Sequence, residues 1–368
     1  MEPLVDRVLL SWIDTLRKRF AQQGSPLVCD MGDKVQFLMV DIITKICLGE
    51  EIGCVKNDQD MHGILRTVQI GNQVAQYCSV FVELSSIVAR LAQIPFLRNT
   101  ALFPKPSDKA GIGRLMGVVH ETVDARSAQG PGADMVSALL GRGMSASEID
   151  SEVIVALAAG SDTTSTSVQA TLLAIITDPH VYSTLRSEIS AALASGRVST
   201  PIRDSEAKQL TYLQACVMEG LRRFPPLSQL RERVVPAGGD MLGVHRVPAG
   251  TFVGLNMWGL QSNKAVYGDD ADLFRPERWL TQDEARLKAM HQTHTLVFGH
   301  GATRCLGMGV ASMEIPKIIF ELLRNFDIAV ANPYRPWVSR CYGIFFQTGF
   351  DVRLTARDQE EAVGSDQD

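Results

Sequence analysis

The segment that decides the fold is Phe298-Gly299-His300-Gly301-Ala302-Thr303-Arg304-Cys305-Leu306-Gly307. Its glycines allow the backbone to turn tightly and to approach a flat ligand closely. Its single cysteine, Cys305, comes just before a predicted helix, and the free amides and dipole of a helix N-terminus stabilise a thiolate. A thiolate held in this way suits an axial haem ligand, because electron density donated by sulfur favours O–O cleavage.

Two other interpretations of this segment remain open. A single cysteine is often only a small buried apolar residue. Leu296-Val297-Phe298 ahead of two glycines also resembles the start of a dinucleotide-binding loop, which follows a strand and opens a helix. The dinucleotide interpretation is disfavoured because Arg304 stands where the third glycine of that loop belongs.

The composition is that of an ordinary globular protein, with 45% hydrophobic and 21% charged residues in a chain of 368. Lys and Arg total 36 against 41 Asp and Glu; five of the acids lie in the tail 358–368, so the remaining 36 acids balance the 36 bases. Without a basic excess, nucleic acid is not expected as a partner. Seven scattered cysteines with no Cys-x-x-Cys pair indicate neither a disulfide framework nor a thiolate zinc site.

Hydrophobic periodicity predicts a mainly α protein with small β-sheets. Helices are predicted at about 3–20, 35–48, 61–92, 111–126, 145–177, 181–194, 205–223 and 311–325. Short strand-like runs are predicted at 234–235, 241–242, 251–253 and 345–354. The acidic tail, taken as 356–368, is expected to be disordered.

The helix predicted at 145–177 is long and apolar enough to require a comparison with a membrane span. Ser145-Ala146-Ser147-Glu148 has the form of a capping box, and Asp162 is the only ionisable residue between 153 and 177. Seven consecutive polar residues, 161–167, cross its centre, so a helix buried in protein is favoured over one facing lipid. The residues 1–6 resemble neither a signal peptide nor an anchor.

Four motifs in order resemble those of the cytochrome P450 family, and the resemblance extends over essentially the whole chain. Besides the Cys305 segment, Glu219-Gly220-Leu221-Arg222 is similar to the family's Glu-x-x-Arg helix, and Phe274 to Trp279 to its Pro-Glu-Arg segment. Ala159-Gly160-Ser161-Asp162-Thr163-Thr164 is similar to its oxygen-activating helix. The resemblance implies one P450 domain over 1–355, binding haem b through Cys305.

The resemblance also implies roles for other residues. Cofactor-binding roles fall on Arg233, Phe298, Gly299, Arg304 and Gly307, with Arg233 pairing with a haem propionate and Phe298 packing near the sulfur. Asp162 and Thr163 are the implied catalytic pair, Thr163 hydrogen-bonding to dioxygen and Asp162 relaying protons. Several of the neighbouring Ser and Thr hydroxyls are expected merely to bond to their own helix.

Glu219 and Arg222 are three residues apart and therefore share a helix face, where they can pair. By spacing alone a solvated surface pair of small energetic value is favoured. The resemblance instead implies a triad with Arg278 that supports the haem loop, which is a structural role and not a catalytic one.

Gly160 predicts a local opening of the long helix, because a mid-helix glycine beside many hydroxyls weakens the backbone hydrogen bonds of the helix. Small or apolar residues at Val155, Ala156 and Ala159, at 227–230 and at 342–346 are the candidate substrate contacts. Their character favours a small lipophilic organic substrate.

The sequence departs from the family pattern at two places. Thr303 stands where the family usually has an arginine that pairs with a propionate, and Arg304 is the candidate to compensate. The chain also starts after the anchor helix, the first sheet strands and the early helices of the fungal, microsomal type, which 274–280 resembles. Three explanations for the missing elements remain open: a truncated gene model, a degenerate remnant, or a fold that manages without them.

The resulting hypothesis is a haem-thiolate monooxygenase of secondary metabolism that inserts one atom of O2 into its substrate with electrons from NADPH through cytochrome P450 reductase. The resemblance implies a location on the cytoplasmic side of the endoplasmic reticulum, although without its anchor the chain as written is expected to be soluble or peripheral. The alternatives are a haem-thiolate enzyme that uses peroxide or rearranges its substrate, and a non-catalytic remnant that binds haem poorly.

Overall fold

The computed structural model describes residues 1–22, 27–94, 105–130 and 132–357. Its α-helices are α1 (Glu2–Phe20), α2 (Met31–Leu48), α3 (Cys54–Asn57), α4 (Ile64–Val80), α5 (Val82–Ala92), α6 (Gly111–Gln129), α7 (Met135–Leu140), α8 (Ala146–Thr177), α9 (Pro179–Ala194), α10 (Asp204–Ala207), α11 (Thr211–Arg223), α12 (Met257–Gln261), α13 (Lys264–Tyr267), α14 (Glu284–Thr295) and α15 (Met308–Asn325). Short 3-10 helices lie at Met61–Gly63, Pro276–Leu280, Leu296–Phe298 and Gly301–Thr303.

The strands form small antiparallel sheets around this helical body. They are β1 (Val28–Asp30), β2 (Arg233–Val234), β3 (Asp240–Leu242), β4 (His245–Val247), β5 (Phe252–Val253), β6 (Phe326–Val330), β7 (Val338–Cys341), β8 (Phe345–Thr348) and β9 (Asp351–Ala356). β9 lies between β1 and β6, with Cys29 opposite Val352 and Ile328 opposite Leu354. β2 pairs with β5, β3 with β4 and β7 with β8. The predicted class, mainly α with small β-sheets, is confirmed.

α8 is the central helix, and its start and stop follow from local chemistry. The Ser145–Glu148 capping box satisfies free amides before Ala146, with Glu148 Oε2 accepting from the backbone N–H of Ser145 at 2.9 Å. The helix ends at Asp178, whose side chain accepts from the first amides of α9. Nearly all residues from 161 to 175 are buried, so the prediction of a helix inside protein is confirmed.

Close helix contacts around α8 depend on small residues. A Cβ on Gly160 would lie 2.9 Å from Cδ1 of Ile43 on α2, so the glycine lets these two helices approach. α8 is helical throughout 146–177, and the prediction of a local opening at Gly160 is replaced by this packing role. Gly220 on α11 is similarly pressed against Thr171 of α8.

Two predicted helices are divided in the structure. The 61–92 segment bends at Phe81, whose backbone is extended between α4 and α5. The 205–223 segment becomes α10 and α11, because Glu188 on α9 accepts from the amides of Tyr212 at 2.8 Å and Leu213 at 2.9 Å and thereby caps α11. Periodicity alone does not reveal such a distant cap.

The N-terminal helix α1 is attached to α15 by a buried cation. Lys317, which is fully buried, places its Nζ 2.6 Å from Glu2 and 2.7 Å from Asp6. β9 continues through Ala356, and the rest of the predicted acidic tail, from 358 onwards, lies outside the described residues. Within the described ranges no single helix has the length and hydropathy to cross a membrane, while the bent pair Met61–Cys78 and Glu83–Leu91 reaches that threshold only jointly.

Candidate active site

The Cys305 segment folds into a closed loop ahead of α15. The backbone N–H of Cys305 donates to the carbonyl of Phe298 at 2.7 Å, and that of Arg304 donates to Gly301 at 3.1 Å. Gly299 and Gly301 have positive φ angles of 79° and 66°, a region that favours glycine. The turn therefore needs its glycines for conformational reasons, as the sequence predicted.

The outer surface of this loop is open to solvent. Cys305 is exposed, and the neighbouring Leu306 is 99% exposed although it is large and apolar. Gly307 caps α15, which places Cys305 two residues before the helix N-terminus. An exposed thiol beside uncovered apolar surface and free helix amides is a donor set that a flat, apolar iron complex fits.

Arg233 reaches the Cys305 loop at Thr303, where the sequence departs from the family pattern. Its guanidinium donates to the hydroxyl of Thr303 and to the carbonyls of Arg231 and Glu232, the latter two at 3.0 and 3.1 Å. The side chain is exposed, so a bound anion can reach the cation. The structure thus brings Arg233 and Thr303 together, as a cation and a hydroxyl on one edge of the loop.

Arg304 does not join that pair. Its guanidinium lies 3.3 Å from the sulfur of Met308 on α15, and its predicted contact with a haem propionate stays a prediction. His300 is exposed, and among the described residues no cluster of three or more His, Cys, Asp and Glu side chains could hold a metal ion. Phe298 is half-buried and packs against the main hydrophobic core.

Arg231 is a loop contact that the sequence reasoning missed. It has a positive φ of 52°, and its guanidinium donates to the carbonyls of Leu296 at 3.3 Å and Val297 at 2.9 Å. A Cβ on Gly299 would lie 3.1 Å from Arg231 Nη1. Its only sequence signal was its place beside Arg233 in an Arg-Glu-Arg run.

Glu219, Arg222 and Arg278 meet in the interior. The alternative of a solvated Glu219–Arg222 pair on the surface is therefore wrong. Glu219 Oε1 lies 2.7 Å from Arg222 Nη2 and 2.9 Å from Arg278 Nε, with all three side chains fully buried. Trp279 Nε1 and the backbone N–H of Arg275 also donate to Glu219, each at 2.9 Å.

The remaining guanidinium hydrogens of this triad are satisfied by backbone oxygens and by the Asp270 carboxylate, which accepts from Arg278 Nη1 at 3.1 Å. Arg222 donates to the carbonyls of Gln261 and Ala271, both at 2.8 Å, and Arg278 donates to that of Tyr267 at 2.7 Å. A buried ion group with complete partners holds its segments in one arrangement, and removing one charge leaves the others uncompensated. The triad thereby joins α11 to the 257–280 segment.

Asp162 is a buried acid on α8. It is 1% exposed; its Oδ2 accepts from Asn72 Nδ2 at 3.1 Å, while its Oδ1 is buried without a hydrogen-bond partner. Burial raises the pKa of Asp162 to about 7, and the hydrogen bond from Asn72 opposes this shift. At neutral pH the group is therefore able both to hold and to release a proton.

Thr163 is half-buried beside Asp162, and its hydroxyl donates to the carbonyl of Ala159 at 2.8 Å. Ser161 and Ser167 bond in the same way to Leu157 at 3.1 Å and to Thr163 at 2.9 Å. The expected back-bonding of hydroxyls to their own helix is confirmed, and it includes Thr163. The hydroxyl oxygen of Thr163 still has lone pairs for a further donor.

Two of the candidate substrate segments, 227–230 and 342–346, pack together. Leu227 forms a β-bridge with Ile344, and the N–H of Ser228 donates to Gly343 at 2.9 Å. α8 contacts the same place, where Thr166 Oγ1 donates to the carbonyl of Phe345 at 2.8 Å. On the earlier part of α8, Ala156 is half-buried, whereas Val155 and Ala159 are exposed.

Comparisons with known proteins give the relatives of this chain. The sequence profile of the family described as Cytochrome P450 matches residues 1–342. The chain is 35% identical over 369 residues to cytochrome P450 monooxygenase aba1 of Botryotinia fuckeliana, covering 98% of this chain and 71% of that protein. It is also 35% identical over 366 residues to ABA1 of Pyricularia oryzae, covering 97% of this chain and 70% of that protein.

A solved structure shares the fold. The crystal structure of a cytochrome P450DA heme domain superposes with a TM-score of 0.76 at 19% identity, over 98% of this chain and 74% of that chain. The superposition covers the helical body as well as the small sheets, because it includes nearly all of the present chain.

Proposed function

Because the chain belongs to the cytochrome P450 family, we propose that it is a haem-thiolate monooxygenase that inserts one atom of O2 into a small lipophilic organic substrate. The observation that carries the proposal is the exposed Cys305 on its glycine loop at the start of α15. Haem b, when bound, supplies the activation of dioxygen, while the protein supplies the ligand, the orientation and the proton.

On the loop side, the chain's own residues bind and orient the cofactor. Cys305 is the proposed iron ligand, and it stands exposed on the loop that leads into α15. Arg233 is the proposed propionate partner, with the Thr303 hydroxyl beside it as a second donor. Gly299 and Gly307 keep the loop surface free of side-chain bulk, and Phe298 anchors the loop to the core.

On the α8 side, the residues move protons. Asp162 holds a proton at neutral pH because its pKa is raised to about 7 by burial. Thr163, next in sequence, is the proposed hydrogen-bond partner of dioxygen once its hydroxyl turns from Ala159. An acid and an alcohol together favour a monooxygenase over an enzyme that uses peroxide or rearranges its substrate, because the reduction of O2 takes up two protons from outside, whereas peroxide carries its own.

The electron source in this proposal is NADPH–cytochrome P450 reductase, and the location is the cytoplasmic side of the endoplasmic reticulum; both rest on the family resemblance. The lipophilic substrate is supported by the exposed Val155 and Leu230. Monooxygenase relatives in fungi support a role in secondary metabolism.

The deciding experiment is the visible spectrum of the reduced protein under carbon monoxide, compared with Cys305→Ala. A strongly red-shifted Soret band that disappears in the variant is expected. Cys341→Ala is the matched control, because Cys341 is also an exposed free thiol but lies on β7, away from the loop. Absence of bound haem, or a band unaffected by Cys305→Ala, would refute the proposal and favour a non-catalytic remnant.

A further inference from the structure

The helix α4 has an unusual distribution of polar residues. Its buried stripe starts with Leu65 and Val68 and continues at the same helical spacing with Asn72. Its opposite side exposes Ile70, Val74 and Tyr77, each more than half accessible. A half-buried amide therefore stands where the stripe predicts an apolar side chain, and such a group is costly unless it is hydrogen-bonded.

The partner of Asn72 is the buried acid on α8. Asn72 Nδ2 donates to Asp162 Oδ2 at 3.1 Å, and this bond joins residues 90 positions apart in the chain. Within the described part of the chain Asp162 has no second hydrogen bond, since its Oδ1 is buried without a partner there. One carboxylate oxygen is therefore tied to α4 and the other remains available for a proton.

We infer that Asn72 is a positioning residue for proton delivery: it orients the Asp162 carboxyl through Oδ2, sets its proton affinity and leaves Oδ1 as the exchanging atom. This inference rests on the proposed role of Asp162 in the monooxygenase reaction.

Burial and Asn72 are the two influences that act on the pKa of Asp162. Burial favours the neutral acid, and a hydrogen bond donated to the carboxylate favours the ionised form. The balance between burial and this hydrogen bond keeps the pKa of Asp162 near neutral pH, where proton transfer is most effective.

No ionised neighbour among the described residues replaces Asn72 in this role. Several charged side chains on α8 and on the elements packed against it have other partners: Asp41 with the amides of 53–55, Glu219 with Arg222 and Arg278, Asp150 with His120, Lys317 with Glu2 and Asp6, Glu321 with Arg324, and Asp327 with Arg186 and Arg357. On α15, burial also raises the pKa of Glu314 to about 8, so this group is mostly uncharged at pH 7.

The test measures the protonation of Asp162 directly in the purified haem protein. The infrared band of the protonated carboxyl, assigned by its loss in Asp162→Asn, is followed against pH. In Asn72→Leu its midpoint should move upward by about one pH unit, because a hydrogen bond to the charged form is lost. The matched control is Gln69→Leu, which removes an amide one turn earlier on α4, bonded to Gln36 at 3.2 Å, and should leave the midpoint unchanged.

A second variant keeps the test decisive if Asn72→Leu folds poorly. Asn72→Asp has nearly the same shape and places a second carboxyl against Asp162, so the pair should share a proton and the midpoint should again rise. An unchanged midpoint in both variants would overturn the inference, as would an equal shift in Gln69→Leu.

A functional measurement separates this inference from the proposed function. NADPH oxidation by the protein with its reductase is recorded against pH, and in Asn72→Leu its alkaline limb should move together with the infrared midpoint. If Asp162→Asn leaves that profile unchanged while Asn72→Leu still moves the infrared midpoint, Asn72 is supported as the residue that positions Asp162. In that case the role of Asp162 as proton donor is refuted.

Discussion

Replacing Asp162 by Asn should stabilise the folded protein, and increasingly so as the pH rises. The carboxyl is 1% exposed, and among the described residues it has one hydrogen bond and pairs with no cation. Its pKa rises from an ordinary 3.8 to about 7 on folding because burial disfavours the charge. The unfolded chain therefore loses this proton at lower pH than the folded chain does.

The size of the effect follows from linkage between protonation and folding. Between the two pKa values the folded state holds one more proton than the unfolded state, so the stability of the unmodified protein falls by about 1.4 kcal/mol per pH unit. Over the about three pH units that separate 3.8 from 7, the cost reaches about 4 kcal/mol and then remains constant. The full cost is thus present above about pH 7 and absent below about pH 4.

The assay is urea unfolding monitored by pulse proteolysis, on the unmodified protein and on Asp162→Asn. The variant's advantage in unfolding free energy should be greater by about 2 to 3 kcal/mol at pH 7.5 than at pH 5. Comparing two pH values cancels the constant difference between an amide and a neutral acid. Glu152→Gln, at an exposed position on the same helix, controls for the removal of one negative charge.

A pH-independent difference would refute the reasoning, because it would mean that Asp162 titrates alike in the folded and unfolded chains. A difference of opposite sign would refute it more severely. The folded state would then favour the carboxylate, which requires a cation near Asp162 that the structure does not contain among its described residues.

The remaining predictions concern packing and the buried triad. Gly160→Ala should cost about 1 to 3 kcal/mol of unfolding free energy, since its Cβ would lie 2.9 Å from Ile43 Cδ1. Urea unfolding should show a smaller cost of Gly160→Ala in an Ile43→Val background, because valine lacks that atom. Strictly additive free-energy changes for the two substitutions would contradict the contact. Glu219→Gln should cost about 3 to 5 kcal/mol because Arg222 loses its buried counter-charge and Arg278 keeps only the less buried Asp270. Thermal unfolding checks this value, and a loss below about 1 kcal/mol would mean that the triad is not a cohesive unit.

Several features could be predicted from the sequence because they depend on residues close together in the chain. The Cys305 loop needs glycines at fixed places for its positive φ angles, and the start of α8 needs Ser145 and Glu148 at capping-box spacing. Glu219 and Arg222 share a face by their spacing alone. The spacing of residues a few positions apart determines these contacts, whatever the rest of the fold.

Resemblance extended these predictions, but only the tertiary structure decided how the parts meet. Spacing alone favoured a solvated Glu219–Arg222 pair; burial against Arg278, more than fifty residues away, makes it an interior ion group. The sequence does not show that Arg233 reaches Thr303, seventy residues away; the folded chain brings this cation and hydroxyl together.

Asn72 shows the same division most clearly. Its helical spacing from Leu65 and Val68 marks it only as a polar residue at an apolar position and names no partner. Its contact with Asp162 spans 90 positions and exists because the fold brings Asn72 on α4 next to Asp162 on α8. The sequence by itself determined the family, the loop and the acid, because those depend on residue type and local spacing. Which side chain hydrogen-bonds to that acid depends on how separate helices are placed in the fold, and only the tertiary structure decides that.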